Sequence, residues 1–407
     1  MTGTSHVPAC TQHGLSPDTV LQFSCMTPVM DHIYNLSVKI GKRGTATEGE
    51  YRAREYIGTA LSSMGIQSSV EEFRTITSFS YPYMIIYLIS VAGALSLLLH
   101  WPVAAIVLTG TGAATFFLEN TSFELVAFLL PKKLSANVIG HIPAAQQPKH
   151  RLIITAHYDS SRSGIMFSPK FVRGFRNTFI GLVISLFSMF ILTAMAWVTG
   201  VEWLKVLVVI LALDPLVTVV LLLHRELRGE YTNGANDNAS GVGVLLGLAE
   251  KFSREPLGST ELYLVATGAE EVGMAGMESF LKNHQQLCGD ARIINIDNCG
   301  TGNVSYIVEE GMMKKYAADH GMVALADRLR QTRFDQVGPR VFTTMSTDAL
   351  VPLARGYRAL SIMAFDQEGM LPNWHWETDV FENVQPATVT LAYEFASGLI
   401  QETDAQE

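Results

Sequence analysis

The chain has 407 residues, of which only 16% are charged and 48% are hydrophobic, with a net charge of −9 and a mean hydropathy of +0.22. Ordinary soluble domains carry about 25% charged residues, so part of this chain is built for lipid. The acidic balance and the lack of any Lys/Arg-rich tract exclude nucleic acid as a partner.

In chain order, residues 1–16 read as a disordered tail without the basic start and apolar core of a secretory signal. Cys10, Cys25, Cys288 and Cys299 are scattered with no CxxC spacing, which argues against a disulfide framework or a thiolate metal site. Segment 17–80 opens a polar domain: Tyr56, Ile57, Leu61 and Met64 recur at helical spacing, and Gly65 follows as a C-cap. From Thr75 to Leu118 no residue is charged, and the run breaks at His100-Trp101-Pro102. Segment 81–119 therefore predicts a hairpin of two membrane spans, since each needs about 20 apolar residues.

Segment 120–176 returns to the polar domain with strand candidates Asn137–Ile142 and Leu152–Ala156, the second running into His157-Tyr158-Asp159. Segment 177–223 predicts a second hairpin, in which Asp214, beside Pro215, should face the helix bundle or a water pocket. Both hairpins begin and end on one side. Arg74, Lys132, Lys133, Lys170, Arg173, Arg176, Arg225 and Arg228 lie near the helix ends there, whereas the tips offer only Lys205. The positive-inside rule makes the shared side cytoplasmic.

Segment 224–407 carries most of the polar clusters. Asp237 precedes a helical pattern at Gly241–Phe252, and the strand candidates Leu262–Ala266 and Arg292–Ile296 run into Glu270-Glu271 and Asp297. A further strand candidate, Leu360–Phe365, leads toward PNWHWETD with His375. Strands alternating with helices predict an α/β domain with a mostly parallel sheet covered on both faces, and such sheets bind ligands beyond the carboxyl ends of their strands. Imidazole and carboxylate at those ends suit zinc, and two ions sharing a bridging carboxylate need about five or six ligands.

The ordered set HYDS, NDNASGVG, TGAEEVGMAG, NIDNCG and HWETDVFENV resembles the co-catalytic zinc aminopeptidase family, which includes the glutamate carboxypeptidases, the glutaminyl cyclases and the non-catalytic transferrin receptor. The resemblance covers roughly residues 30–74 and 134–398 and leaves both hairpins as insertions. It implies a zinc-exopeptidase-like three-layer fold with two Zn2+ ions, one held by His157 and Asp297, the other by Glu271 and His375, with Asp237 bridging. It also implies that Asp159 supports the ring of His157, that Glu270 is the general base, and that the Asp237–Asn238 peptide bond is cis. Trp374, Trp376, Ser346 and Asp348 are expected in the substrate pocket, and Asp379, four residues after His375, either orients that ligand or serves as a cap or turn residue. The oxyanion donor stays open among Tyr306, Tyr316 and Tyr357. For the active site the resemblance implies an extracytoplasmic position, opposite to the charge bias.

The expected activity is that of a membrane-embedded exopeptidase of aminopeptidase type, acting on a peptide or small amide beside the lipid bilayer. The alternatives are an amidase for N-acylated or lipidated amino acids, a glutaminyl cyclase, and a non-catalytic receptor-like scaffold. No sequence pattern fixes an oligomeric state.

Overall fold

A computed structural model describes residues 28–120 and 125–406; the expected tail at 1–16, with Cys10, and also Cys25 lie outside the described residues. Nine strands form one sheet: β1 (Gln67–Thr75), β2 (Lys133–Ile142), β3 (His150–His157), β4 (Thr260–Thr267), β5 (Arg292–Ile296), β6 (Asn303–Glu310), β7 (Tyr316–Ala317), β8 (Gly338–Phe342) and β9 (Arg358–Phe365). Their order is β1-β2-β4-β3-β5-β9-β6-β7, with β8 also paired to β6. The central strands β4, β3, β5 and β9 are parallel. Toward both edges the pairing turns antiparallel, at β2–β4 and β1–β2 on one side and at β9–β6 and β6–β7 on the other. The sheet is therefore mixed, and its parallel part is its centre.

The helices that follow in chain order are α1 (Glu48–Ser63), α2 (Ser80–Leu98), α3 (Pro102–Glu119), α4 (Phe175–Thr199), α5 (Glu202–Arg228), α6 (Ser240–Arg254), α7 (Ala275–Asn283), α8 (His320–Thr332) and α9 (Pro386–Asp404). Because successive strand residues point to opposite faces, Ile154, Leu264, Ile294 and Leu360 pack in one core with α1, α6, α8 and α9. Their sequence neighbours Ile153, Val265, Ile293 and Ala359 face α7 and the short helix Leu350–Ala354 in a second core. Central strands buried on both faces read as continuous apolar runs, which is why they were visible in the sequence.

Helices α2 to α5 are long and apolar enough to cross a membrane. They are apolar inside and out, as a helix between protein and lipid must be. Leu186, Met189, Val208 and Phe116 are buried between them, while Val198 is 80% and Ile210 55% exposed on the outside. Where α2 and α3 cross, backbone approaches backbone: a Cβ added to Gly112 would lie 1.9 Å from Ser90 Oγ. Asp214 accepts a hydrogen bond of 2.8 Å from the Ser185 hydroxyl on α4, so it faces the bundle and not lipid. The end of α5 enters the polar domain, where buried Arg225 donates to the Arg162 carbonyl and to the hydroxyls of Ser78 and Ser80, each at 3.1 Å.

Candidate active site

Strands β4, β3 and β5 run side by side, and a polar side chain stands at or just beyond the carboxyl end of each. His157 ends β3, β4 leads to Glu270 and Glu271, and Asp297 follows β5; Asp237 lies in the loop before α6 and His375 in the loop after β9. All six converge. Asp237 Oδ1 stands 3.1 Å from His157 Nε2, and its Oδ2 stands 3.2 Å from His375 Nε2. His157 Nε2 also faces Asp297 Oδ1 at 3.4 Å, and His375 Nε2 faces Glu271 Oε2 at 3.1 Å. One carboxylate is thus shared between two imidazole–carboxylate pairs. Glu270 Oε2 lies 4.0 Å from His157 Nε2, on the edge of this group.

The backbone explains how adjacent glutamates reach one centre. Ala269 has φ +57 and Gly273 φ +115, so a tight turn rather than a strand carries Glu270 and Glu271. Gly268 is required for close approach, because its Cβ would lie 2.5 Å from the Ala136 carbonyl oxygen. The Asp237–Asn238 peptide bond is cis. The asparagines on either side of Asp237 tie this loop to the segment after β5: Asn238 donates to the Ile296 carbonyl at 2.9 Å, and the Gly300 N–H donates to the Asn236 side chain at 2.8 Å.

Electrostatically the cluster calls for positive charge. Burial pushes the Glu270 carboxyl well above its ordinary range, with Glu271 adding to the rise. Burial would lower His375, but Glu271 and Asp237 carry it up to about 9. Burial also opposes ionisation of Asp237, yet hydrogen bonds with His157 and His375 hold it below the carboxylate range. Glu271 Oε1 is buried with no hydrogen-bond partner among the described residues. Imidazole and carboxylate donors crowded around one shared carboxylate, with an orphaned oxygen among them, fit zinc.

The supporting residues act on the backbone. Asp159 stands 3.5 Å from His157 Nδ1, but its hydrogen bonds come from the Glu270 and Glu271 N–H groups at 3.0 and 3.3 Å and from the Thr45 hydroxyl at 2.8 Å. It clamps the glutamate turn more than it supports the ring. Asp379, expected beside His375, accepts instead from the N–H groups of Asn236 and Asp237 at 2.6 and 3.2 Å. No motif singles out Arg43, which is fully buried and donates to the carbonyls of Leu36, Gly41, Tyr158, Asn233 and Gly234. Burial lowers its pKa to about 10, and only the tertiary fold brings those carbonyls together.

A cavity of ≈ 530 Å³ opens onto the cluster and is lined by Trp374 and Ser346. Trp374 meets Phe167 and Phe175 edge to face and lies against His375. Trp376 and Asp348 do not line this cavity. His375 has φ +52, so the chain turns sharply between the two tryptophans, and Asp348 is held by the Thr267 hydroxyl at the end of the interior strand β4. None of Tyr306, Tyr316 and Tyr357 lines the cavity either; Tyr306 is a core residue that donates to Asp327 and stacks on Phe395.

A mixed α/β sheet with a buried histidine–carboxylate centre beyond its parallel strands is the architecture of the zinc-exopeptidase-like fold. The model of peptidase family M28 matches residues 213–400 of the chain, a little under half of its length. Over 85 residues the chain is 38% identical to the alkaline phosphatase isozyme conversion protein of Escherichia coli (strain K12), which covers 20% of this chain and 24% of that protein. The matched region is thus about a quarter of that relative's length. Among solved structures, a zinc aminopeptidase from Bacillus subtilis aligns with a TM-score of 0.56 at 14% identity, over 94% of this chain and 95% of that one. The glutaminyl cyclase of Tannerella forsythia aligns at 0.58 and 15% identity, over 94% and 99%. A Zn-dependent exopeptidase from Parabacteroides distasonis ATCC 8503 aligns at 0.55 and 15% identity, over 94% and 98%. At these identities the likeness is one of fold.

Proposed function

We propose that the chain is a membrane-embedded di-zinc exopeptidase of aminopeptidase type that hydrolyses peptide or amide bonds. The observation that carries this reading is the pair of distances from Asp237, 3.1 Å to His157 and 3.2 Å to His375, each imidazole having its own second carboxylate. His157 and Asp297 would hold one ion, Glu271 and His375 the other, and Asp237 both. When bound, the ions supply Lewis acidity, lowering the pKa of the attacking water toward about 7 and polarising the scissile carbonyl.

The chain's own residues do the rest. Glu270 accepts the water's proton at its carboxylate and returns it to the leaving amine. Asp159, through the N–H groups of Glu270 and Glu271, fixes that base relative to its metal-binding neighbour. Phe167 and Trp374 cover the ring of His375 and keep bulk water away from it. The four candidate spans would anchor the protein; the basic residues near their shared ends favour a cytoplasmic peptidase domain, and the resemblance favours the opposite side.

Glu270→Gln tests the base: kcat should fall about 10²–10⁴-fold, the usual contribution of a positioned proton acceptor, while elemental analysis still finds two zinc ions per chain. A variant that keeps both its zinc and its rate removes Glu270 from the mechanism. One zinc per chain in the wild type would rule out the shared-carboxylate arrangement.

A further inference from the structure

The cavity above the cluster does not end in the peptidase domain. Its lining continues along α2 to Tyr87, along α4 to Leu182 and along α5 to Thr218. Counted from the predicted hairpin bounds 81, 177 and 223, these lie about five or six residues inside the bundle. At 1.5 Å per residue that is about 8–9 Å, roughly a quarter of a hydrocarbon layer about 30 Å thick.

Chemistry divides along its length. The ionisable ligand residues gather at one end, and the deep walls are built by Tyr87, Phe179, Leu182 and Leu222. The polar side chains along these walls are engaged within the protein: Glu119, at the domain-side end of α3, accepts from the Val126 and Ala127 N–H groups, both at 3.0 Å, and Thr218, further in, donates to the Asp214 carbonyl at 3.0 Å. A peptide strand pushed this far would leave its N–H and C=O groups unpaired, which costs several kcal/mol for each group in a lipid-like setting. A hydrocarbon arm has no such groups. Lining residues that are exposed occur at Gly273, beside the glutamate turn, and at Ile165, Lys170, Phe171 and Thr178, at the head of α4 where the domain meets the spans.

Resting on the hydrolase reading above, we propose that the substrate is an amide with one long apolar arm, which enters from the lipid layer beside α4. Its amide sits at the His157–His375 centre and its arm lies between α2, α4 and α5. Water adds to the carbonyl carbon, the C–N bond breaks, and the proton held by Glu270 passes to the leaving nitrogen, giving a carboxylic acid and an amine. Lipid is as apolar as the tunnel, so the arm gains little from transfer. Selection comes from the tunnel's shape and depth.

The test uses the full chain, zinc-loaded, in phospholipid vesicles. Two substrate series are compared, N-acyl amino acids and aminoacyl alkylamides, each with short and dodecyl-length arms, beside an aminoacyl anilide. Partitioning into the bilayer is common to all protein variants, so the reading is the ratio of long-arm to short-arm kcat/KM. Leu182→Trp, which plugs the deep end, should lower that ratio about tenfold or more, as pocket contacts of this kind do; the series that responds tells which side of the amide carries the arm. Leu222→Trp on the facing helix makes the same test if the first variant does not accumulate. Independently of turnover, a spin-labelled dodecanoyl amino acid should be immobilised by Glu270→Gln protein and freed when Leu182→Trp is added. An unchanged ratio in both plugged variants, or a label equally mobile with and without the plug, overturns the proposal. A wild type that binds zinc but cleaves neither anilide nor short amide overturns the hydrolase reading itself.

Discussion

Asp379 is four residues from His375, yet its oxygens hold the N–H groups of Asn236 and Asp237, so its influence on the centre runs through the backbone of the shared carboxylate. In Asp379→Asn one of those N–H groups would meet an NH2 instead of an oxygen. Loss of such a support commonly costs about 10–100-fold in metal affinity, measurable by chelator competition; wild-type affinity in the variant would reduce Asp379 to a loop residue. Glu50 offers a pH test away from the ligands. Burial, with Asp159 nearby, raises its pKa from 4.5 to about 8 despite hydrogen bonds from the Ser135 hydroxyl and Ala46 N–H. The folded state therefore keeps a proton that the unfolded chain releases at about pH 4.5. This contribution is complete below that pH and is lost as pH rises through about 8. Glu50→Gln can accept from Ala46 and donate to Ser135 without titrating. Its melting temperature should rise relative to wild type across that window, and parallel curves for the two proteins would disprove the assignment.

Among elements, the close crossing of α2 and α3 is the most exacting contact in the bundle. Gly112→Val would drive a branched side chain into Ser90 Oγ and toward the Ile86 carbonyl, and overpacking of this kind costs about 1–3 kcal/mol. Gly181→Val on α4, where a Cβ meets nothing within 4 Å, is the matched control. Thermal unfolding in detergent should separate the two, and equal shifts would mean that the crossing tolerates expansion. What could be read from the sequence follows the same logic of burial. Strands β3, β4, β5 and β9 were legible because both faces are covered, whereas β1, QSSVEEFRT, alternates between exposed and half-buried and has no apolar run to betray it. The ligand cluster was legible because each member stands at or beyond the end of an apolar strand or opens a helix. Trp376, Asp348, Asp379 and Arg43 were not, since their roles depend on positive-φ turns and on carbonyls that meet only in three dimensions. The tunnel was equally hidden, because its walls come from three helices that look uniformly apolar in sequence.

For the whole molecule, the two hairpins must carry their tips to the face opposite the peptidase domain. Helix α5, at 27 residues, spans about 40 Å, more than a hydrocarbon layer of about 30 Å, and the surplus is the buried end that carries Arg225. At the tips Lys205 pairs with Glu202 at 2.8 Å, so the far face presents no unpaired basic residue near the helix ends, while Lys132, Lys133, Lys170, Arg173 and Arg176 ring the near face. This asymmetry favours a cytoplasmic domain by the positive-inside rule, whereas the resemblance implies the opposite side, and labelling decides between them. Single cysteines at Leu99, 59% exposed near the first tip, and at exposed Asp335 in the peptidase domain read the orientation directly once Cys10 and Cys25 are replaced by serine, because Cys288 and Cys299 are buried. In sealed right-side-out vesicles an impermeant maleimide should react with Leu99→Cys at once and with Asp335→Cys only after permeabilisation. The reverse order would place the zinc centre outside the cell while preserving the four spans. Reaction of both from one side would mean that the hairpins lie on the membrane instead of crossing it, and the path by which a lipid-borne arm reaches the tunnel would then have no bilayer around it.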